Sequence, residues 1–264
     1  MLHEKIALNA AVLTAYAPDN AVQPGRLSRA VLLLPGGGYE KRVEKEREPI
    51  ALKLAGEGIA AFVLDYSLAP SRYPVQLLEA ASAIDFIRKN AERFHVRPDR
   101  VLVMGGSAGA HLAALLGVHW NKPWLQQALH CEGTDIRPDG MVLCYPVVTA
   151  FSPYAYAPAF RALLGSSYAE RLNEVSIEMQ AGPDTPPAFL WHTGEDELVP
   201  AENSLLLAMA LRRAGVSVEL HLFPRGSHGL GLADPVGLSD ARAAEAYPEC
   251  RAWFPMAVRW IRAL

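Results

Sequence analysis

Five short apolar runs, separated by stretches with helical spacing, constrain the fold of this chain more than any other feature. They are "RAVLLLP" (Arg29 to Pro35), "IAAFVLDY" (Ile59 to Tyr66), "RVLVMG" (Arg100 to Gly105), "GMVLCY" (Gly140 to Tyr145) and "AFLWHT" (Ala188 to Thr193). "VSVELHLF" (Val216 to Phe223) is a sixth. The first five are rich in Leu or β-branched residues and lack clean alternation, as strands covered on both faces of a parallel sheet do. Between them, Leu77, Ala81, Ile84 and Ile87 give the segment 75–93 one apolar face. Segments 107–118, 201–214 and about 246–264 also read as helical, the second stopped by Gly215. Strands alternating with helices predict a doubly wound α/β domain, its sheet mostly parallel and covered by helices on both faces. Residues 4–15 are expected to supply an extra antiparallel edge strand.

With 264 residues, 51% of them apolar, the chain is large enough for one α/β domain and shows no composition shift that would mark a second. The stretch 147–187 breaks the rhythm, being rich in Ser, Pro, Tyr and Ala with short helical patches at 158–164 and 167–174. An insertion of this kind is expected to lie over a site as a lid or pocket wall. Lys and Arg number 25 against 28 Asp and Glu, for a net charge of −3. No basic run marks a nucleic-acid or anionic-lipid partner. The densest charged stretch, "KRVEKERE" (Lys41 to Glu48), alternates in sign and reads as a solvated segment. Glu4 and Lys5 stand where a signal peptide needs its apolar stretch, and no run approaches the ~18 residues of a membrane span. Cys131, Cys144 and Cys250 are odd in number and widely spaced, which suits neither a disulfide framework nor a zinc site. The expectation is a soluble cytoplasmic protein with free thiols.

The chemistry centres on Gly105-Gly106-Ser107-Ala108-Gly109, a G-x-S-x-G placed after an expected strand and before an expected helix. That context is the one a nucleophile elbow requires. A dinucleotide loop would need glycine where Ser107 stands, and a Walker loop needs a Gly-Lys pair that is absent. A plain tight turn is the bland alternative.

A serine hydroxyl needs a base, and the base an orienting acid. In this architecture they follow in the order serine, acid, histidine, each on a loop beyond a later strand. "WHTGEDELVP" presents Glu195, Asp196 and Glu197, and "FPRGSHGLGLA" presents His228. Position alone leaves the three acids close. His111, one helical turn after Ser107, belongs to the same rigid helix and reads as a bystander. His192 and His221 lie on strand patterns and read as packed or hydrogen-bonded structural groups. His3, His95, His119 and His130 have no supporting context. For the oxyanion, "PGGGY" (Pro35 to Tyr39) offers backbone donors at Gly37 and Gly38, and Ala108 offers another at a helix start.

These pieces resemble an α/β-hydrolase esterase over nearly the whole chain. More narrowly, "LLLPGGGYEKRVEKEREPIALKLAGEGIAAFVLDYSLAP", "GGSAGAHLAA", "CYPVVTA", "TPPAFLWHTGEDELVPAENS" and "HLFPRGSHGLGL" resemble the acetylxylan-esterase-like and feruloyl-esterase-like carbohydrate esterases. The resemblance implies Ser107 as nucleophile, Asp196 as acid, His228 as base, and Gly37, Gly38 and Ala108 as the oxyanion hole. It selects Asp196 over its acidic neighbours. Pro35 stands where lipase-like relatives carry His, which argues against a lipase.

The implied activity is hydrolysis of short acyl esters, acetyl above all, of a sugar or similar small alcohol through an acyl-enzyme. No H-E-x-x-H or other metal-ligand cluster appears, and neither metal nor organic cofactor is expected. The partner is then a small-molecule ester rather than nucleic acid or membrane. Tyr39 is expected at the substrate, while Tyr154, Tyr156 and Phe160 either line the pocket or pack beneath the insertion. Two rivals are a prolyl-oligopeptidase-like peptidase, for whose accessory domain there is no room, and a non-catalytic ligand-binding hydrolase fold.

Overall fold

The computed structural model describes residues 1–19, 25–235 and 247–264. The six apolar runs form strands: β3 (Ser28–Leu34), β4 (Ala60–Asp65), β5 (Val96–Gly106), β6 (Met141–Cys144), β7 (Ala188–Thr193) and β8 (Val218–Phe223). They are preceded by β1 (Leu2–Leu8) and β2 (Ala11–Ala17), and all eight make one sheet in the order β1-β2-β4-β3-β5-β6-β7-β8. From β4 to β8 every pairing is parallel, whereas β2 runs antiparallel to β4. The opening residues therefore give two strands rather than one. Asn9, at φ +53°, turns the chain between them, a conformation that Asn tolerates.

Both faces of the sheet are covered, which explains the unbroken apolar runs. Along β3, Ala30, Leu32 and Leu34 face a core shared with Leu77 and Ile84 of α2 (Val75–Lys89) and Leu112 of α3 (Ala108–His119). Val31 and Leu33 face the opposite core, with Ile50 and Leu54 of α1 (Glu48–Gly56) and with Trp253 and Ile261 of the C-terminal helix Trp253–Ala263. Of the helical segment expected over 246–264, residue 246 lies outside the described residues.

The parallel strands align their carboxyl ends along one edge. At that edge β3 has β4 on one side and β5 on the other, the point of reversal where ligand crevices form in open α/β sheets. Residues 147–187 carry the helices Ala157–Leu164 and Tyr168–Val175, as their patches predict. They pack over α3, where Val175 meets His111 and Phe160 stacks edge-on against the same ring.

The segment Lys41 to Glu48 is not simply solvated. Its middle forms a 3₁₀ turn, Glu44–Glu46, that leads toward α1 and buries the Glu46 side chain to 3% exposure. No helix among the described residues is long and apolar enough to cross a membrane.

Candidate active site

Ser107 stands between β5 and α3 at φ +53° and ψ −120°, a backbone state that a non-glycine residue holds only when its surroundings enforce it. Three contacts enforce it here. Its N–H donates to Cys144 O at 3.0 Å, and its carbonyl accepts from His111 N at 3.0 Å and from Val147 N at 3.3 Å. Gly109 makes the corner possible, because a Cβ there would stand 1.9 Å from Leu34 O. The hydroxyl projects from the carboxyl end of β5 to the mouth of a cavity.

The hydroxyl meets His228, from the loop after β8, with Oγ 2.8 Å from Nε2. On the other side of the ring, Nδ1 lies 2.6 Å from Asp196 Oδ2, from the loop after β7. Since an ionised carboxylate only accepts, His228 donates Nδ1–H to Asp196 and receives the Ser107 O–H at Nε2. The Tyr145 ring stands edge-on to the imidazole, centroids 5.2 Å apart, and limits its rotation.

Asp196 is itself held on both oxygens. Oδ1 accepts from Leu198 N at 3.0 Å and Val199 N at 2.9 Å, and Oδ2 also lies 3.2 Å from His192 Nε2. Burial alone would push its pKa up. The bonds from His192 and His228, the His228 charge and the Val199 N–H outweigh burial and hold the carboxyl well below the usual carboxylate range. Glu195 instead accepts from Gly226 N, and Glu197 is exposed, so neither meets His228.

His192, read from the sequence as a packed or hydrogen-bonded structural group, is hydrogen-bonded and touches the acid of this arrangement. Fully buried, it is 2.9 Å from Val199 O through Nε2 and 2.8 Å from Ser204 Oγ through Nδ1. Donation from Nε2 to the carbonyl fixes the tautomer that also presents N–H to Asp196. Its spacing of four residues from the acid was the available signal.

The loop after β3 comes within reach of the hydroxyl. Gly37 has φ +127°, and a Cβ on it would stand 2.1 Å from Lys41 O, so only glycine fits. Among the described residues, the N–H groups of Gly37, Gly38 and Ala108 donate to nothing. A cavity of about 350 Å³ opens beside them, lined by Gly37, Gly38, Ser107, Tyr156, Leu198 and His228.

Tyr39 corrects an expectation. It is buried, not at the cavity, because its hydroxyl lies 2.6 Å from His111 Nδ1 and pins the loop to α3. His111 spends Nε2 on Val175 O at 2.8 Å, and burial lowers its pKa to about 4, so it stays neutral. Tyr156 lines the cavity, Phe160 packs beneath the insertion, and Tyr154 gives its carbonyl to Asn203. Gly229, directly after His228, also lines the cavity, and residues 236–246 lie outside the described residues.

Comparison with known proteins gives a consistent result. The BD-FAE family model matches residues 13–211. The endo-1,4-beta-xylanase B of Butyrivibrio fibrisolvens is 38% identical over 216 residues, 77% of this chain and 33% of that protein. The chain spans a third to about half the length of the first curated relatives it matches. Among solved structures, the acetyl ester-xyloside bifunctional hydrolase of Caldicellulosiruptor lactoaceticus is 36% identical with a TM-score of 0.81, covering 96% of this chain and 88% of that one. The carboxylesterase Cest-2923 of Lactobacillus plantarum is 28% identical with a TM-score of 0.88, covering 100% and 98%. With both, this chain shares the α/β-hydrolase fold.

Proposed function

The chain belongs to the BD-FAE family, and from that premise we propose that it is a serine carboxylesterase acting on short acyl esters, acetyl above all, of a sugar or similar small alcohol. The observation that carries the reading is the continuous hydrogen-bonded line from Ser107 through His228 to Asp196, at 2.8 and 2.6 Å. The similarity to a carboxylesterase and to an acetyl ester-xyloside hydrolase supports the bond class and the acetyl preference.

In this mechanism His228 Nε2 takes the Ser107 proton as Oγ attacks the ester carbonyl. The developing oxyanion rests on the N–H groups of Gly37, Gly38 and Ala108, which no other group among the described residues occupies. Asp196 stabilises the imidazolium and keeps its orientation. Collapse of the intermediate returns the proton from His228 to the departing alcohol and leaves an acyl group on Ser107. Water, deprotonated by His228, then releases the acid and restores the serine.

In this reading residues 147–187 form a pocket wall on the single domain, contributing Tyr156 to the cavity lining. Cys131, Cys144 and Cys250 are all unpaired, which fits a reducing compartment such as the cytoplasm. The test is turnover of p-nitrophenyl acetate, butyrate and octanoate and of a panel of acetylated sugars, ranked by kcat/KM, with Ser107→Ala as control. Wild type is expected to prefer acetate and to exceed Ser107→Ala by roughly 10⁴-fold or more. Equal, slow release by the two proteins would end the esterase reading.

A further inference from the structure

Glu46 carries a buried carboxylate that the mechanism above does not use. Its Oε2 accepts the Gly36 N–H at 2.7 Å, at the base of the oxyanion loop. Its Oε1 accepts the Tyr145 hydroxyl, also at 2.7 Å. The Tyr145 oxygen in turn accepts from Gly231 N at 3.1 Å, three residues beyond His228. One carboxylate thus joins the loop after β3 to the loop after β8, the two loops that supply the oxyanion donors and the base.

It also lies directly under the elbow. A Cβ on Gly106, the residue before Ser107, would stand 2.5 Å from Glu46 Oε2, and one on Gly36 would stand 2.8 Å away. Both glycines leave the space that the carboxylate fills.

An ionised group is a costly filler. Filling the gap would need only apolar volume, so what the carboxylate adds is acceptors for the buried Gly36 N–H and Tyr145 hydroxyl. Burial is the largest influence and leaves its pKa raised, with the Tyr145 hydroxyl, the Gly36 N–H and the charge of His228 offsetting only part of the rise. Lys45 on its own turn acts in the same direction, and Tyr66 and Tyr145 also face it, as does Cys144 at the end of β6. Both oxygens accept, which is the pattern the ionised form satisfies.

We propose that Glu46 is a positioning residue that holds the oxyanion loop and the His228 loop at the spacing the tetrahedral intermediate requires. The inference rests on the esterase reading above. It predicts an effect on the transition state rather than on ground-state binding, because misplacement of donors by a fraction of an ångström acts where the oxyanion forms.

The experiment compares wild type, Glu46→Gln and Tyr145→Phe in three measurements. These are steady-state kinetics on p-nitrophenyl acetate, thermal melting, and inhibition by phenylboronic acid, which forms a tetrahedral adduct on an active serine. Glu46→Gln is expected to lower kcat about 10- to 100-fold with KM within about twofold, and to weaken the boronate in proportion. Tyr145→Phe, which removes only the hydroxyl linking Glu46 to Gly231, should move both in the same direction by a smaller factor, with a lower melting temperature because Glu46 Oε1 and the Gly231 N–H lose that partner. Wild-type kcat and boronate affinity in Glu46→Gln would overturn the proposal. Should Glu46→Gln fail to fold, wild-type values in Tyr145→Phe would overturn it equally. A wild-type protein with neither ester turnover nor boronate inhibition would instead remove the esterase reading, and this inference with it.

Discussion

Asp196 Oδ2 and His228 Nδ1 are 2.6 Å apart, and this one bond sets which nitrogen of the imidazole faces Ser107. Asp196→Asn would offer an amide N–H to Nδ1, drive the ring to the other tautomer and put Nε2–H against the serine hydroxyl. We expect kcat to fall by roughly 10⁴-fold with little change in fold, as in other triads that lose the carboxylate. Steady-state kinetics alongside circular dichroism check this. The carboxyl is held below its ordinary range. Its contribution to stability is therefore complete above the unfolded value, about pH 4, and is lost as pH falls toward the folded one.

His111 gives a stability prediction of the same direction in a higher window. Burial first, with the His119 charge adding, lowers its pKa to about 4 against the donation to Val175 O. The unfolded chain then binds the proton first as pH drops below about 6.5, so acid favours unfolding. The melting temperature should decline between about pH 6.5 and 4. His111→Gln should show a shallower decline, not a flat one, because buried His119 is shifted in the same direction. A slope identical to wild type would contradict the assignment.

Gly109→Ala tests the corner itself. The added methyl would stand 1.9 Å from Leu34 O, which is backbone on a central strand and cannot swing aside. Overpacking of a core costs about 1–3 kcal/mol and more where backbone must move. We expect a loss of at least about 3 kcal/mol in urea unfolding, with activity falling alongside. An alanine variant as stable as wild type would mean that the elbow is looser than its geometry.

Much of the site was legible because its parts are local. The G-x-S-x-G corner, the three glycines after β3 and the SHG loop each sit within a few residues of a strand end, where sequence pattern and backbone chemistry coincide. What depends on distant contacts was not. Glu46 lies in a run of alternating charge that reads as solvated, and nothing local reveals the space under Gly106, 60 positions on. Tyr39 adjoins the oxyanion loop in sequence yet turns inward to His111, a partner 72 residues away. The opening hairpin was half seen, because Asn9 is a turn residue with neither Gly nor Pro beside it.

Asn203 fixes the wall over the cavity and supplies the last prediction. Fully buried, it accepts from Val148 N at 2.9 Å and Thr149 N at 3.1 Å, and it donates to Tyr154 O at 2.9 Å and Pro200 O at 3.0 Å. One amide thereby ties the start of the insertion to the loop that carries Asp196. Asn203→Ala leaves three backbone groups unpaired, Val148 N, Thr149 N and Tyr154 O, since Pro200 O keeps the Asn203 backbone N–H, and should cost roughly 2–4 kcal/mol. It should also raise KM for p-nitrophenyl acetate, since Tyr156 follows directly on the freed segment. Asn203→Asp keeps the two accepting bonds but loses the two donations and buries a carboxylate against the Tyr154 and Pro200 carbonyls, so its stability in urea should also fall below wild type. Limited proteolysis supplies a second reading: cleavage within 147–187 should be faster in both variants than in wild type. Unchanged KM and proteolysis in Asn203→Ala would show that the wall is held by its apolar packing on α3 instead.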